Sequence, residues 1–338
     1  MTRRGFLTPG TWCADHNKMI ERWPAEDMVV EILDQSVAGG GSACNFAVDI
    51  RRLDPAMPVG TIGVIGEDAF GKVLERTIDE NGIERYGVVI TDAAATNFTD
   101  AYSVRATGRR THLFHAGTSE LLSPAHFDFA ATNARILHLG LPGIHKLMDA
   151  PWEGAPSGWA AVLKAAQAAG IETNLEMLQI DPARLRAIVE PCLGLLDYLV
   201  VNDYEVGALT GRTTVADGAT DVEACLAAGA EVMARGTMRV LAIHFPRGAI
   251  AFERGGAVRR HASVDVPPGE VRGANGAGDA FAAGMMYGLH EGWDVERALA
   301  LAHAAAAASL RAISTTDSVV TWRACLALAD GWGWRAPI

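Results

Sequence analysis

Nothing in this chain speaks for a disulfide or zinc framework. The five cysteines (Cys13, Cys44, Cys192, Cys225, Cys325) are odd in number, and no two form a Cys-x-x-Cys pair. They read as reduced thiols of a cytoplasmic protein. A long apolar run is missing too. The most apolar stretch, Ala298 to Leu310, is too short to span a bilayer and contains His303. No secretory leader is recognised, because the run after the basic start Met1-Thr2-Arg3-Arg4 is broken by Pro9 and Gly10. Basic residues are few: 29 Lys and Arg against 40 Asp and Glu leave a formal charge of −11. Nucleic-acid and membrane-surface binders need a basic face, so neither partner is expected. Internal repeats and low-complexity linkers are absent, and 338 residues suffice for one large α/β domain.

Glycine is present, and its placing is informative. Near the C-terminal end runs Val271-Arg272-Gly273-Ala274-Asn275-Gly276-Ala277-Gly278-Asp279, followed by the apolar helical pattern of Phe281, Met285, Met286 and Leu289. Small residues feeding a helix N-terminus let a ligand approach the backbone, whose first N–H groups lack intrahelical partners. The positive end of the helix dipole makes such a turn an anion site, with phosphate the usual anion. Asp279 stands at its edge, where a carboxylate suits the role of a base taking a proton from a hydroxyl. The same residues also read as a tight turn with Asp279 capping the helix.

The rest of the chain alternates strand and helix. Strands are expected over Gly5 to Trp12, Met28 to Leu33, Val59 to Ile65, Arg135 to Gly140, Gly170 to Asn174, Tyr198 to Val201 and Val240 to His244. Helices are expected over Phe46 to Leu53, Trp159 to Gly170, Pro182 to Glu190, Val222 to Gly236, Asp279 to His290, Val295 to Arg311 and Thr321 to Leu328. Between Tyr86 and His115 the pattern changes to short β-prone runs separated by turns such as Thr107-Gly108. Such alternation implies a mainly parallel sheet with helices on both faces, and ligands beyond the C-terminal strand ends. The glycine loops follow strands and converge there.

Several stretches together resemble the ribokinase-like (PfkB) family of carbohydrate and nucleoside kinases. They are Gly40-Gly41-Ser42-Ala43-Cys44-Asn45, Ile62-Gly63-Val64-Ile65-Gly66-Glu67-Asp68, Asn202-Asp203-Tyr204-Glu205 and Gly276-Ala277-Gly278-Asp279. Their order and spacing, over most of the chain, carry the signal. The resemblance implies one doubly wound α/β domain, 1–338, with a small β-sheet lid from segments near 12–37 and 95–118 that serves as a dimer contact. It implies transfer of the ATP γ-phosphoryl group to a hydroxyl of a sugar or polyol, with a nucleoside as the alternative acceptor and a non-catalytic binding protein as the alternative class. Asp279 is then the base, and Gly276, Ala277 and Gly278 the anion hole. Asp15, Gly40, Gly41 and Asn45 bind the acceptor. Asn202, Glu205, Arg247 and Gly248 serve the nucleotide, with Glu205 holding Mg2+ through water.

Those roles make chemical sense, because carboxylates and carboxamides suit vicinal hydroxyls and phosphoryl transfer asks for positioning and charge neutralisation. Other readings stand beside them. Asn202 to Glu205 also fits a helix cap with Glu at its third position. Asp15 also fits a turn residue, and Arg109-Arg110 a solvated hairpin tip. His138, His244 and His303 read as core histidines, and Trp159, Trp332 and Trp334 as packing residues. Two departures from the family pattern matter. Gly273-Ala274 replace Asp-Thr before the last glycine motif, which removes the carboxylate that ligates a monovalent cation in many members. Phe245-Pro246 replace the small residues expected after the late strand.

Overall fold

The computed structural model describes residues 3–107 and 109–338. The turn expected at Thr107-Gly108 falls outside it at Gly108, as do Met1 and Thr2. Of the expected tip Arg109-Arg110, Arg109 is exposed and the side chain of Arg110 lies outside the described part.

A nine-stranded sheet runs in the order Val258–Ala262, Gly248–Glu253, Val240–Phe245, Tyr198–Asn202, Glu172–Leu175, Ile136–Leu139, Phe6–Leu7, Val59–Gly66, Glu84–Thr91. Seven of these strands pair in parallel, and the two at the Val258–Ala262 edge pair antiparallel. Successive side chains of a strand point to opposite faces. Phe6, Tyr198 and Val200 accordingly enter one core, with the helices Ser42–Leu53, Ala277–His290, Val295–Ser309 and Trp322–Trp332. Leu7, Leu199 and Val201 enter the other, with the helices Gly158–Ala168, Pro182–Val189, Asp203–Thr210 and Val222–Arg235. This is the doubly wound α/β architecture with helices on both faces.

A second, four-stranded sheet has the order Ile32–Gly40, Cys13–Ile20, Phe98–Val104, Arg110–His115. The chain-order expectation is corrected here in detail. The first strand of the large sheet is only Phe6–Leu7; Gly10 then makes a single parallel bridge to Gly140, so close that a Cβ would overlap its carbonyl. The chain then turns into the small sheet at Cys13, through a strand whose polar residues Asp15 to Lys18 hide its β character. The expected strand at Met28 to Leu33 begins only at Ile32.

The strand order reverses between Phe6–Leu7 and Ile136–Leu139. A crevice opens beyond the carboxyl ends of the strands at such a point. The small sheet, the helix Ser42–Leu53 and the start of the helix Ala277–His290 are drawn to that end. The alanine-rich helix Val295–Ser309 packs tightly on Ala277–His290. A Cβ on Gly284 would lie 2.7 Å from the Ala302 Cα, so small residues set that approach.

Candidate active site

Gly276 has φ 76° and caps the helix Ala277–His290 without a side-chain bond. A Cβ there would come within 2.5 Å of the Thr315 carbonyl oxygen, so the left-handed turn and the packing both demand glycine. Gly278 faces the His244 ring, 3.4 Å from where its own Cβ would be. His244 is held neutral, its pKa lowered to about 4 by burial. No side chain caps the first N–H groups of this helix, and Ala277 and Gly278 line the cleft.

Asp279 follows in the first turn. Its Oδ2 accepts a hydrogen bond from Asn45 Nδ2 at 2.7 Å. Asn45 is itself fixed, because its Oδ1 accepts from the Thr315 hydroxyl at 2.8 Å. Asn45 reaches this place from the helix Ser42–Leu53, which starts at Gly41 with φ 81°. A Cβ on Gly41 would sit 2.5 Å from the Thr11 carbonyl oxygen, and one on Gly40 would collide with the Asp15 carboxylate. The structure thus gathers Asp15, Gly40, Gly41, Asn45 and Asp279 at one end of the sheet.

Glu176 is the residue that the sequence reading missed. It follows the strand Glu172–Leu175 directly, and that position at a carboxyl strand end was the available signal. Its Oε2 lies 2.5 Å from His138 Nε2. His138 Nδ1 lies 2.9 Å from the Asn174 amide nitrogen, which can only donate, so Nε2 carries the ring proton and donates to Glu176. The imidazole stacks on Phe46 at 3.7 Å, and burial lowers its pKa to about 3. It is a satisfied core histidine.

Glu176 also meets Asp279. Burial holds the Asp279 carboxyl well above the usual range, and the Glu176 charge adds to it. Burial likewise pushes Glu176 up to about 7. Two carboxyl groups in contact cannot both ionise cheaply, so the pair holds a proton in common.

Asn202 and Glu205 lie across the cleft. They form a reciprocal cap: Glu205 N–H donates to Asn202 Oδ1 at 2.8 Å, and Asn202 N–H donates to Glu205 Oε2 at 2.9 Å. The capping reading is therefore real, and it leaves one Glu205 oxygen without a role in the cap. Burial first, then the cap and the nearby charges of Asp203 and Asp279, leave Glu205 with a pKa of about 7. Among the described residues, no group of three or more His, Cys, Asp or Glu is arranged to hold a metal ion. A magnesium ion suits this donor set only as a partly hydrated ion, held by one carboxylate and by ligand oxygens.

The loop 271–278 separates two cavities of about 660 Å³ each, and Ala274 lines both. One is walled mainly by apolar groups, among them Phe245, Pro246, Val266 and Leu310, with Asn202 and Gly278 at its inner end. The other opens toward the small sheet. Arg247 and Gly248 do not line the apolar cavity. Arg247 is exposed in the turn between two paired strands, and Gly248 is buried in their register opposite Phe245. Phe245 and Pro246 occupy the wall instead.

The loop is also pinned from behind. The N–H groups of Arg272 and Gly273 both donate to the Leu310 carbonyl, at 2.8 and 3.2 Å. Gly273 supplies no carboxylate for a monovalent cation, and backbone packing already holds the turn. Activity in Tris buffer at fixed Mg-ATP is expected to be the same with sodium and potassium. Strong activation by potassium in a cation titration would show that other oxygens complete a cation site.

The fold and this cleft define the ribokinase-like class of α/β proteins. A ribokinase of Arabidopsis thaliana solved with ribose and ATP superposes with TM-score 0.79 at 24% identity, over 97% of this chain and 99% of that one. An ATP-dependent ribose-1-phosphate kinase of Halopiger xanaduensis is 28% identical over 316 residues, 90% of this chain and 92% of that protein. A fructokinase of Klebsiella pneumoniae is 26% identical over 286 residues, 79% of this chain and 83% of that protein. The profile described as pfkB family carbohydrate kinase matches residues 12–322, and the chain belongs to that family.

Proposed function

We propose that this protein is an ATP-dependent kinase that phosphorylates a hydroxyl of a small sugar or polyol, with Asp279 as the base. One observation carries the reading: Asp279 stands in the first turn of the helix that ends the loop 271–278, and a separate cavity lies on either side of that loop. A two-substrate transfer needs that arrangement, with donor and acceptor meeting at the charge-stabilising turn. The apolar cavity suits a nucleoside, and the N–H groups of Gly276, Ala277 and Gly278 suit the phosphate being transferred.

The acceptor hydroxyl gives its proton to the Asp279 carboxylate as its oxygen bonds to the γ-phosphorus. The bond from that phosphorus to the bridging oxygen breaks, and ADP leaves with the electron pair. Asn45 orients the base, while Asp15 and the open backbone at Gly40 and Gly41 receive the other hydroxyls. Magnesium, when bound with ATP, would neutralise phosphate charge. Asn202 and Glu205 would hold it through water.

The experiment is a coupled ADP-release assay with Mg-ATP against a panel of sugars and polyols. ADP release at the same rate with and without every acceptor would overturn the reading. Glu205→Gln keeps both capping hydrogen bonds, and because burial raises the Glu205 carboxyl to about 7, stability is expected to be unchanged at acid pH and to rise, not fall, above pH 7. Losing the charge is expected to raise the magnesium concentration for half-maximal rate about tenfold, the size of one charge-assisted contact. Unfolding curves and a magnesium titration on the same variant separate a cap from an ion-organising group.

No helix among the described residues is long and apolar enough to cross a membrane. The same reading places the protein in the cytoplasm, supported by five buried, free thiols. It also includes a dimer through the small sheet, where Met28, Val29 and Leu113 are exposed. Light scattering at micromolar concentration tests the dimer.

A further inference from the structure

The cavity under the small sheet has an unexpected charge for a chain of net charge −11. The ionisable side chains that line it are Arg105, His112 and Arg272, and no carboxylate is among its lining residues. Ser103 and Asn275 add neutral polar groups. A smaller recess beside it, sharing Met19, Ser103 and Ile313, brings Lys18, Asp34 and Ser36 within reach of hydroxyl groups.

Arg272 has a fixed base and a free head. Its N–H is tied to the Leu310 carbonyl at 2.8 Å. Its side chain is exposed, and its guanidinium has no ion-pair or hydrogen-bond partner among the described residues. Arg105 comes from the small sheet, directly after the strand Phe98–Val104, and lines the same cavity. It pairs with Glu21 at 3.3 Å, with both side chains more than half exposed. Such a pair is worth little and is readily exchanged for a better anion. Arg272 and Asn275 place the cavity next to Gly276, three residues before Asp279.

We infer that the acceptor is a sugar that already carries a phosphate, and that Arg272 and Arg105 clamp that phosphate under the small sheet. This deepens the kinase reading and rests on it. Two guanidinium groups match the double charge of a phosphomonoester, and the planar fork of each suits its oxygens. ATP is the other anion to weigh. Arg272, Arg105 and His112 line only the cavity toward the small sheet. The apolar cavity across the loop, where the nucleoside fits, receives none of them. The product would be a sugar bisphosphate, formed with release of ADP and one proton.

The test uses the purified full chain. Ribose, fructose and gluconate are compared with ribose 1-phosphate, ribose 5-phosphate and fructose 6-phosphate, by turnover with Mg-ATP and by calorimetric binding without nucleotide. At least one sugar phosphate is expected to exceed its parent sugar by about 100-fold in kcat/KM, the size of two charge-assisted contacts. Arg272→Gln is expected to raise KM for that sugar phosphate by about tenfold or more and to leave KM for ATP unchanged. Arg105→Gln should act in the same direction. Equal or better use of a neutral sugar, preference for gluconate, or an Arg272→Gln effect confined to KM for ATP would each overturn the inference. So would failure of every sugar phosphate to bind. Binding of a sugar phosphate that Arg272→Gln abolishes, with no phosphoryl transfer, would uphold the phosphate site and sink the kinase reading alone.

Discussion

Asp279→Asn is expected to lower kcat by about 10²–10⁴, the usual cost of losing a general base. The substitution keeps the shape of the side chain. A carboxamide oxygen still accepts from Asn45 Nδ2, which the Thr315 hydroxyl holds in place. What it removes is the capacity to take a proton. The wild-type carboxyl has a pKa raised well above the ordinary value, by burial and by Glu176. A raised carboxyl stabilises the fold below its unfolded pKa and loses that contribution as pH rises. The variant should therefore melt no lower than wild type at pH 8, and binding of ATP alone should change little. Turnover loss without a fall in melting temperature identifies a missing base. Near-wild-type turnover would remove Asp279 from the mechanism.

Glu176→Gln is expected to stabilise the free protein at pH 8 by roughly 3 kcal/mol and to leave it unchanged near pH 4.5. The sign follows from the direction of the shift. Burial raises the Glu176 carboxyl from 4.5 to about 7, so the neutral form is the one the fold prefers. Stability that this group contributes is fully present below pH 4.5 and is lost as pH rises through about 7. A carboxamide resembles the neutral form at every pH, accepts from His138 Nε2 as the acid does, and bears no ionisation cost. Urea unfolding at the two pH values measures the difference. Removing the like charge also lowers the Asp279 pKa, so the acid limb of the pH–rate profile should move to lower pH. Equal stability at pH 8 would mean that a positive partner, His138 first among them, neutralises Glu176 in the folded protein.

How far the site could be read in advance differs from residue to residue. Gly276, Ala277, Gly278 and Asp279 are contiguous, so a local pattern sufficed to place a helix N-terminus with a carboxylate on it. Asn202 and Glu205 are three apart on one turn, so the cap was visible in that spacing, whereas the organising role proposed for them came from the family resemblance. Glu176 belongs to no motif, and only its place directly after a strand marks it. Its significance comes from His138, Asn174 and Asp279, which the fold brings to it across the sheet. Thr315 was silent for the same reason, since it matters only through Asn45. Arg247 and Gly248 differ again, since neither lines the apolar cavity. Their place after a strand suggested the nucleotide, but a two-residue turn puts Arg247 at an exposed tip and buries Gly248 in the pairing register.

The sequence by itself determined the layered α/β architecture, because apolar periodicity and glycine or proline punctuation are properties of neighbouring residues. It also determined the family, through motifs kept in order along the chain, and the placing of a carboxylate, Asp279, in the first turn of a helix behind a glycine loop. The tertiary structure alone decided which carboxylates touch, where the strand order reverses, and that the loop 271–278 divides two cavities. It alone brought Arg105 and Arg272, far apart along the chain, to the lining of one of them. The physical reason is range. Backbone propensity acts over a few residues, whereas desolvation and charge act over a few ångströms, whatever length of chain lies between.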